Sequence, residues 1–169
     1  ARIDIKDIRG RSAFHIAALR GHAILVDLLY HNGARINQRD ALGMTPLHTA
    51  AYGGQVESAR LLVSLGADAK LKDFTGQTPL HLASLAGDKD CVAVIAAAGV
   101  SLNVKDSVGE TALHIAARGG HTEVAAWLIE RGAYINLRNN RGESPLQISE
   151  RAGFTEISDL LVWKGTKRF

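Results

Sequence analysis

An all-α solenoid of stacked helix-turn-helix units is the fold this sequence predicts, on three observations. A six-residue motif starts at residues 12, 45, 78, 111 and 144, a constant step of 33. Three sets of glycines keep the same step, from Gly21 to Gly153, from Gly33 to Gly165 and from Gly10 to Gly142, and they take 15 of the 17 glycines. Between them apolar residues fall three and four apart, as Leu25, Leu28 and Leu29 do, which is the spacing of one helix face. Units repeated in this way stack, so each contacts mainly its neighbours.

Each element has its own signals. Thr45 is placed to cap a helix, its hydroxyl accepting from an early helical N–H. Pro46 follows at the first helical position, where a missing N–H costs nothing. Leu47, Ala50 and Ala51 form a small apolar face, and the alanines let neighbouring helices approach closely. Gly21, Gly54, Gly87, Gly120 and Gly153 close these inner helices in the left-handed conformation. The outer helix of the first unit reads Ile24-Leu25-Val26-Asp27-Leu28-Leu29, and Gly33, Gly66, Gly99, Gly132 and Gly165 are expected to end the outer helices. Gly10, Gly43, Gly76, Gly109 and Gly142 mark turns after Asp/Asn-x-x. Glycine so used is punctuation, and no phosphate-cradling Gly-x-x-x-x-Gly-Lys-Ser/Thr or Gly-x-Gly-x-x-Gly occurs.

The period, and the motif written as Thr45-Pro46-Leu47-His48-Thr49-Ala50 and Thr78-Pro79-Leu80-His81-Leu82-Ala83, resemble the ankyrin-repeat family over almost the whole chain. The resemblance implies short β-hairpin turns between helix pairs. It divides the chain into repeats at 7–39, 40–72, 73–105, 106–138 and a partly degenerate C-terminal one at 139–169, where Gln147 and Ser149 break the motif as a capping repeat would. Residues 1–6 align with residues 34–39 and are expected to be the tail of a preceding repeat in a longer array or larger protein. That leaves the first outer helix with an apolar end unless something covers it. Trp163, Lys164, Lys167 and Arg168 are expected to cover the last helix pair, to be solvated or to lead into further sequence.

Bulk properties narrow the function. At 169 residues the chain is one domain. Apolar runs such as 92–100 are far too short to span a bilayer. One cysteine excludes an internal disulfide, Cys91 falls at a core position, and there is neither a signal peptide nor an Asn-x-Ser/Thr sequon. A reducing compartment, cytoplasm or nucleus, follows as the expectation; a bacterial protein delivered into a host cell would look the same. The net charge of +3 is mild for a nucleic-acid binder.

His15, His48, His81 and His114 invite a metal reading, but packed helices lie roughly 8–10 Å apart and zinc ligands must reach within about 2.1 Å. The family resemblance makes them structural, bonded to backbone near the turn. His22 and His121 recur at helix starts, and Trp127 reads as a core aromatic. No catalytic constellation stands out from the repeat background, so no enzyme, cofactor or metal is expected.

The resemblance also implies a concave surface that binds a peptide or partner domain. Its first part would comprise Ile8, Arg9, Arg11, Leu19, Arg20, Leu42, Met44, Tyr52, Phe74, Gln77 and Leu85. Ser107, Val108, Glu110, Arg118, Asn140, Arg141, Glu143 and Arg151 would continue it. The first group is apolar without burial forcing it, with arginines at its rim, which points to protein binding. Tyr52, Phe74, Met44 and Leu42 are the expected anchors. Lys6, Arg39, Lys72, Lys105 and Arg138 form a second row, read either as a surface for acidic partner residues or as paired with the adjacent Asp row. Asn37, Asn103 and Asn136 stand where some family asparagines are hydroxylated. Two rival functions remain open at this stage: a regulatory arm of an enzyme or channel, and a methyl-lysine reader using Tyr52 and Phe74.

Overall fold

The computed structural model describes residue 3 and residues 5–166, with nothing of the Thr166 side chain. The readings placed on residues 1, 2 and 4 and on Lys167 and Arg168 lie outside the described residues. Ten helices form five antiparallel pairs among those described: α1 (Ala13–Arg20) and α2 (Ala23–His31), α3 (Pro46–Tyr52) and α4 (Val56–Ser64), α5 (Pro79–Ala86) and α6 (Lys89–Ala96), α7 (Ala112–Gly119) and α8 (Thr122–Glu130), α9 (Pro145–Ala152) and α10 (Thr155–Thr166). The odd-numbered inner helices stack in one row and the even-numbered outer helices in another.

Local chemistry sets the inner helices. Thr45, Thr78, Thr111, Ser12 and Ser144 are extended caps, and Pro46, Pro79 and Pro145 take the first turn. Ala18, Ala50, Ala51, Ala83, Ala116 and Ala117 are fully buried, so helix axes approach closely around Leu47, Leu80 and Leu113. Gly53, outside the three glycine sets, has a packing reason: a Cβ there would stand 2.6 Å from the Leu19 carbonyl of the neighbouring helix. Cys91 is buried, and burial, followed by the Asp88 charge, pushes its thiol up to about 12, which leaves it neutral.

Several expectations need correction. Gly165 does not end a helix; α10 runs through it to Thr166, and Gly165 is not in the left-handed conformation. The turns are hairpin-like but too short for strands, and a single bridge, Lys6 to Ser12, is found among the described residues. Trp127 is only partly buried, packed against the core with Arg131 4.9 Å over its ring. Leu25 and Leu28, expected on the packed face of α2, are exposed, because among the described residues no helix packs on that side of the first unit.

The motif histidines join one pair to the next. His48 Nδ1 accepts from the Thr45 backbone N–H at 3.2 Å and lies 2.8 Å from the Thr45 hydroxyl. Its Nε2 is 3.1 Å from the Gln77 carbonyl of the next turn. His81 reaches the Glu110 carbonyl at 3.1 Å and His114 the Glu143 carbonyl at 3.2 Å. His15 reaches the carbonyls of Gln38 and Met44. The acceptor role of Nδ1 toward a backbone N–H requires a neutral ring protonated at Nε2. In the fifth pair Gln147 keeps only the local half, with Oε1 accepting from the Ser144 N–H at 3.0 Å.

Burial lowers all four histidines below their ordinary 6.5, to about 4 for His114. The neutral form is therefore favoured in the folded state. Above pH 6.5 folded and unfolded rings are both neutral and stability is full. As pH falls below 6.5 the unfolded chain binds protons first, so stability declines until the folded ring also titrates, about 4 for His114. Urea midpoints should fall between pH 7 and pH 4.5, and the H114Q variant should show a shallower fall; identical slopes would contradict the assignment.

Candidate functional site

The turns that edge the concave face are built by a carboxylate or carboxamide. Asp40 Oδ1 accepts from the N–H groups of Leu42 at 2.8 Å and Met44 at 2.9 Å. Asp7, Asp73, Asp106 and Asn139 do the same in their own turns. Arg11, whose side chain bonds Asp7, holds that carboxyl below its usual range. The turns then join one another: Ala41 donates to the Arg9 carbonyl, Phe74 to that of Leu42, Ser107 to that of Thr75 and Asn140 to that of Val108, at 3.0–3.1 Å. Gly43 combines φ of +77° with a ring packed on it, since a Cβ there would stand 2.7 Å from Phe74.

Behind this edge, the first three pairs form a groove of about 380 Å³. Leu19, Tyr52 and Leu85 line it from the ends of α1, α3 and α5. Leu42, Met44 and Gln77 line it from the turns, and Thr49 and Leu82 form its floor. Leu42, Tyr52 and Leu85 stay 62%, 55% and 44% exposed, an apolar surface that the fold does not use. Arg9 lies at the rim with no side-chain partner among the described residues, whereas Arg11 is bonded to Asp7 at 2.7 Å.

The same positions in the fourth and fifth pairs carry charge. Arg118 and Arg151 replace the leucines and tyrosine, and each forms an ion pair with the turn residue of its own repeat, Glu110 and Glu143 respectively. These pairs cover the concave face and end the apolar groove after the third helix pair.

Of the residues read from the sequence, Arg9, Arg11, Leu19, Leu42, Met44, Tyr52, Gln77 and Leu85 come together in the groove. Phe74, Arg20, Arg118 and Arg141 do not line it. Phe74 lies over Gly43, Arg20 and Arg141 are exposed outside the groove, and Arg118 is held by Glu110. No ring contact joins Tyr52 to Phe74 among the described residues, and only Tyr52 faces the groove. Thr49, Thr75 and Leu82, missed as lining residues, share their signal with the core: Thr49 and Leu82 occupy the variable motif position and are nearly buried.

The basic row is not paired with the adjacent Asp row. No ion pair links it to the Asp row among the described residues; those aspartates hold their own turns. Instead the first four cations each reach the next tail. Lys6 Nζ donates to the Arg39 carbonyl at 3.2 Å, Arg39 to that of Lys72 at 2.7 Å, Lys72 to that of Lys105 at 2.8 Å and Lys105 to that of Arg138 at 2.8 Å. Arg138 bonds the Gly142 carbonyl and Gln147. Asn37 and Asn103 act alongside, their Oδ1 atoms accepting from the N–H groups of Asp68 at 3.0 Å and Tyr134 at 2.8 Å. Asn136 is exposed.

A family model described as ankyrin repeats (3 copies) matches residues 14–106 and again residues 80–167. The chain belongs to the ankyrin-repeat family. No curated protein matched the sequence. Ankyrin repeats are generally protein–protein interaction modules and typically non-catalytic. In this ankyrin stack no described helix is long and apolar enough to cross a membrane. No group of metal-ligating side chains occurs among the described residues.

The cation row makes a stability prediction. K105M removes the bond to the Arg138 carbonyl and should lower unfolding stability by about 1 kcal/mol, while K105R should retain most of it. Urea denaturation of the three proteins decides, and equal stability of K105M and wild type would contradict an inter-repeat role.

Proposed function

We propose that this ankyrin stack recognises another protein by seating an extended segment along the concave face of its first three helix pairs. An apolar side chain enters between Leu19, Tyr52 and Leu85, and a carboxylate beside it meets Arg9. The single observation that supports this reading is the change along one column of positions. Leu19, Tyr52 and Leu85 are apolar where Arg118 and Arg151 are ion-paired within their own repeats. Apolar surface kept in water without a folding role is the usual mark of a binding face, and aromatic anchors carry a large share of interface energy. Phe74, Arg20 and Arg141 extend the face at its margin rather than in the groove.

The role that fits is that of an adaptor or scaffold segment within a larger protein. The buried, neutral Cys91 thiol is compatible with the reducing cytoplasm or nucleus. The partner is a protein or peptide rather than nucleic acid: the row of cations that phosphate would use bonds backbone carbonyls and lies beside carboxylates.

The test is affinity capture with the wild-type chain and with a Y52A/L85A variant. A partner bound by wild type should bind the variant at least about tenfold more weakly, with the helical circular dichroism unchanged, and R118A should bind it normally. Equal binding to wild type and Y52A/L85A would place the interface elsewhere.

A further inference from the structure

The groove has a period set by helix packing. Leu19, Tyr52 and Leu85 stand at the ends of α1, α3 and α5, which stack as neighbours. Packed helices lie roughly 8–10 Å apart, so these side chains are three ridges at that spacing, with one slot between each adjacent pair. The floor offers neither slot a free polar group. The Thr49 hydroxyl donates to the His15 carbonyl at 3.1 Å and lies 2.9 Å from the Pro46 carbonyl, and Leu82 is apolar. The groove therefore accepts two apolar side chains one helix spacing apart.

That spacing selects a backbone. In a β-strand, side chains on one face are two residues and roughly 6.6 Å apart, or four residues and roughly 13 Å apart; neither matches. An α-helix brings residues seven apart to about 10.5 Å, but it needs a channel about 10–12 Å wide, and its backbone polar groups are already paired. Polyproline II repeats every three residues at about 3.1 Å each, which puts side chains about 9.3 Å apart on one face. Its backbone makes no internal hydrogen bonds and is free to bond a partner.

The polar groups of the groove agree with such an occupant and orient it. Gln77 lines the groove, and its carboxamide has no partner among the described residues. A carboxamide offers an acceptor and N–H donors, the complement of a backbone amide. Arg9, also without a side-chain partner, lies in the turn of the first repeat, whereas the carboxylates of Asp40 and Asp73 line the groove further along. An acidic group is thus attracted at the first-repeat end and repelled beyond it. Past the third pair, Arg118 held by Glu110 closes the groove.

We infer that the partner segment is a polyproline II stretch with apolar side chains at i and i+3 and an acidic residue outside them at the Arg9 end. The inference rests on the groove being the binding site. One apolar side chain sits between Leu19 and Tyr52, the other between Tyr52 and Leu85, and Gln77 bonds a backbone amide beside the second. The residues between them face solvent, where proline fits because it fixes φ for this conformation. Tyr52 is shared by both slots and supplies the aromatic wall on which such segments dock.

The test is selection of random short peptides, displayed on phage, against the immobilised 169-residue chain. Enriched sequences should carry apolar residues at i and i+3, proline at or between them, and Asp or Glu to one side. Y52A/L85A should bind those peptides at least about tenfold more weakly, with its helical circular dichroism unchanged. Selection on R9E should replace the acid by Lys or Arg. Peptides that need Tyr52 and Leu85 but space their apolar residues by two, four or seven would overturn the polyproline register and leave the groove as the binding site. Peptides that keep their acid in selection on R9E would overturn the placement of charge. Peptides indifferent to Y52A/L85A, or no enrichment at all, would overturn the groove as the site and this inference with it.

Discussion

Everything in this stack depends on a hydrogen bond that a neutral imidazole carries from one repeat to the next. In the first four pairs a serine or threonine cap fixes Nδ1 and the facing Nε2 reaches a turn carbonyl 23–29 residues further along the chain. A buried donor of this kind is costly to leave unpaired. The bond therefore does more than hold the helix start. It places the next turn relative to the previous helix, and so sets the line along which the turns join through Ala41, Phe74, Ser107 and Asn140. The Lys and Arg row repeats the same logic on the tails with exposed side chains, where each bond is worth less.

Function follows from what this arrangement leaves free. The turn row and the ends of the inner helices face each other across a channel whose backbone is already satisfied, so the side chains at residues 19, 52, 85, 118 and 151 are released from structural duty. The chain uses that freedom unevenly. Three positions hold exposed apolar groups around a groove, and two hold arginines bound by glutamates eight residues earlier. The face is thereby divided into a receptive part and a self-satisfied part. Selection between partners then comes from shape in the groove and from the Arg9 charge at its rim.

Much of this was legible in the sequence because a repeat writes each physical requirement five times. The caps, the prolines at helix starts and the left-handed glycines all follow from residue chemistry at a fixed step, as does the burial of Cys91, and the family resemblance implied the structural role of the histidines. Most of the groove was readable too, since Leu19, Leu42, Met44, Tyr52 and Leu85 are apolar where the core does not need them. Sequence reasoning missed the backbone acceptors of the cation row. A lysine row beside an aspartate row reads as ion pairs or as a surface for an acidic partner, yet the aspartates bind N–H groups of their own turns and the lysines bind carbonyls one repeat away. It also grouped Phe74 with Tyr52 on type alone, although Phe74 packs on Gly43 outside the groove. The pairing of Arg118 with Glu110 was hidden for another reason: the same eight-residue spacing links Leu19 to Arg11 and Tyr52 to Met44, which form no pair.

The protonation of His15, His48, His81 and His114 tests the central claim most directly. Long-range ¹H–¹⁵N correlation spectra of the folded chain at pH 7 read the state of each ring nitrogen. The account predicts four neutral rings with the proton on Nε2 and Nδ1 unprotonated. Rings that are charged, protonated at Nδ1 or averaging between tautomers would contradict it, because the bond that positions each turn would then not exist.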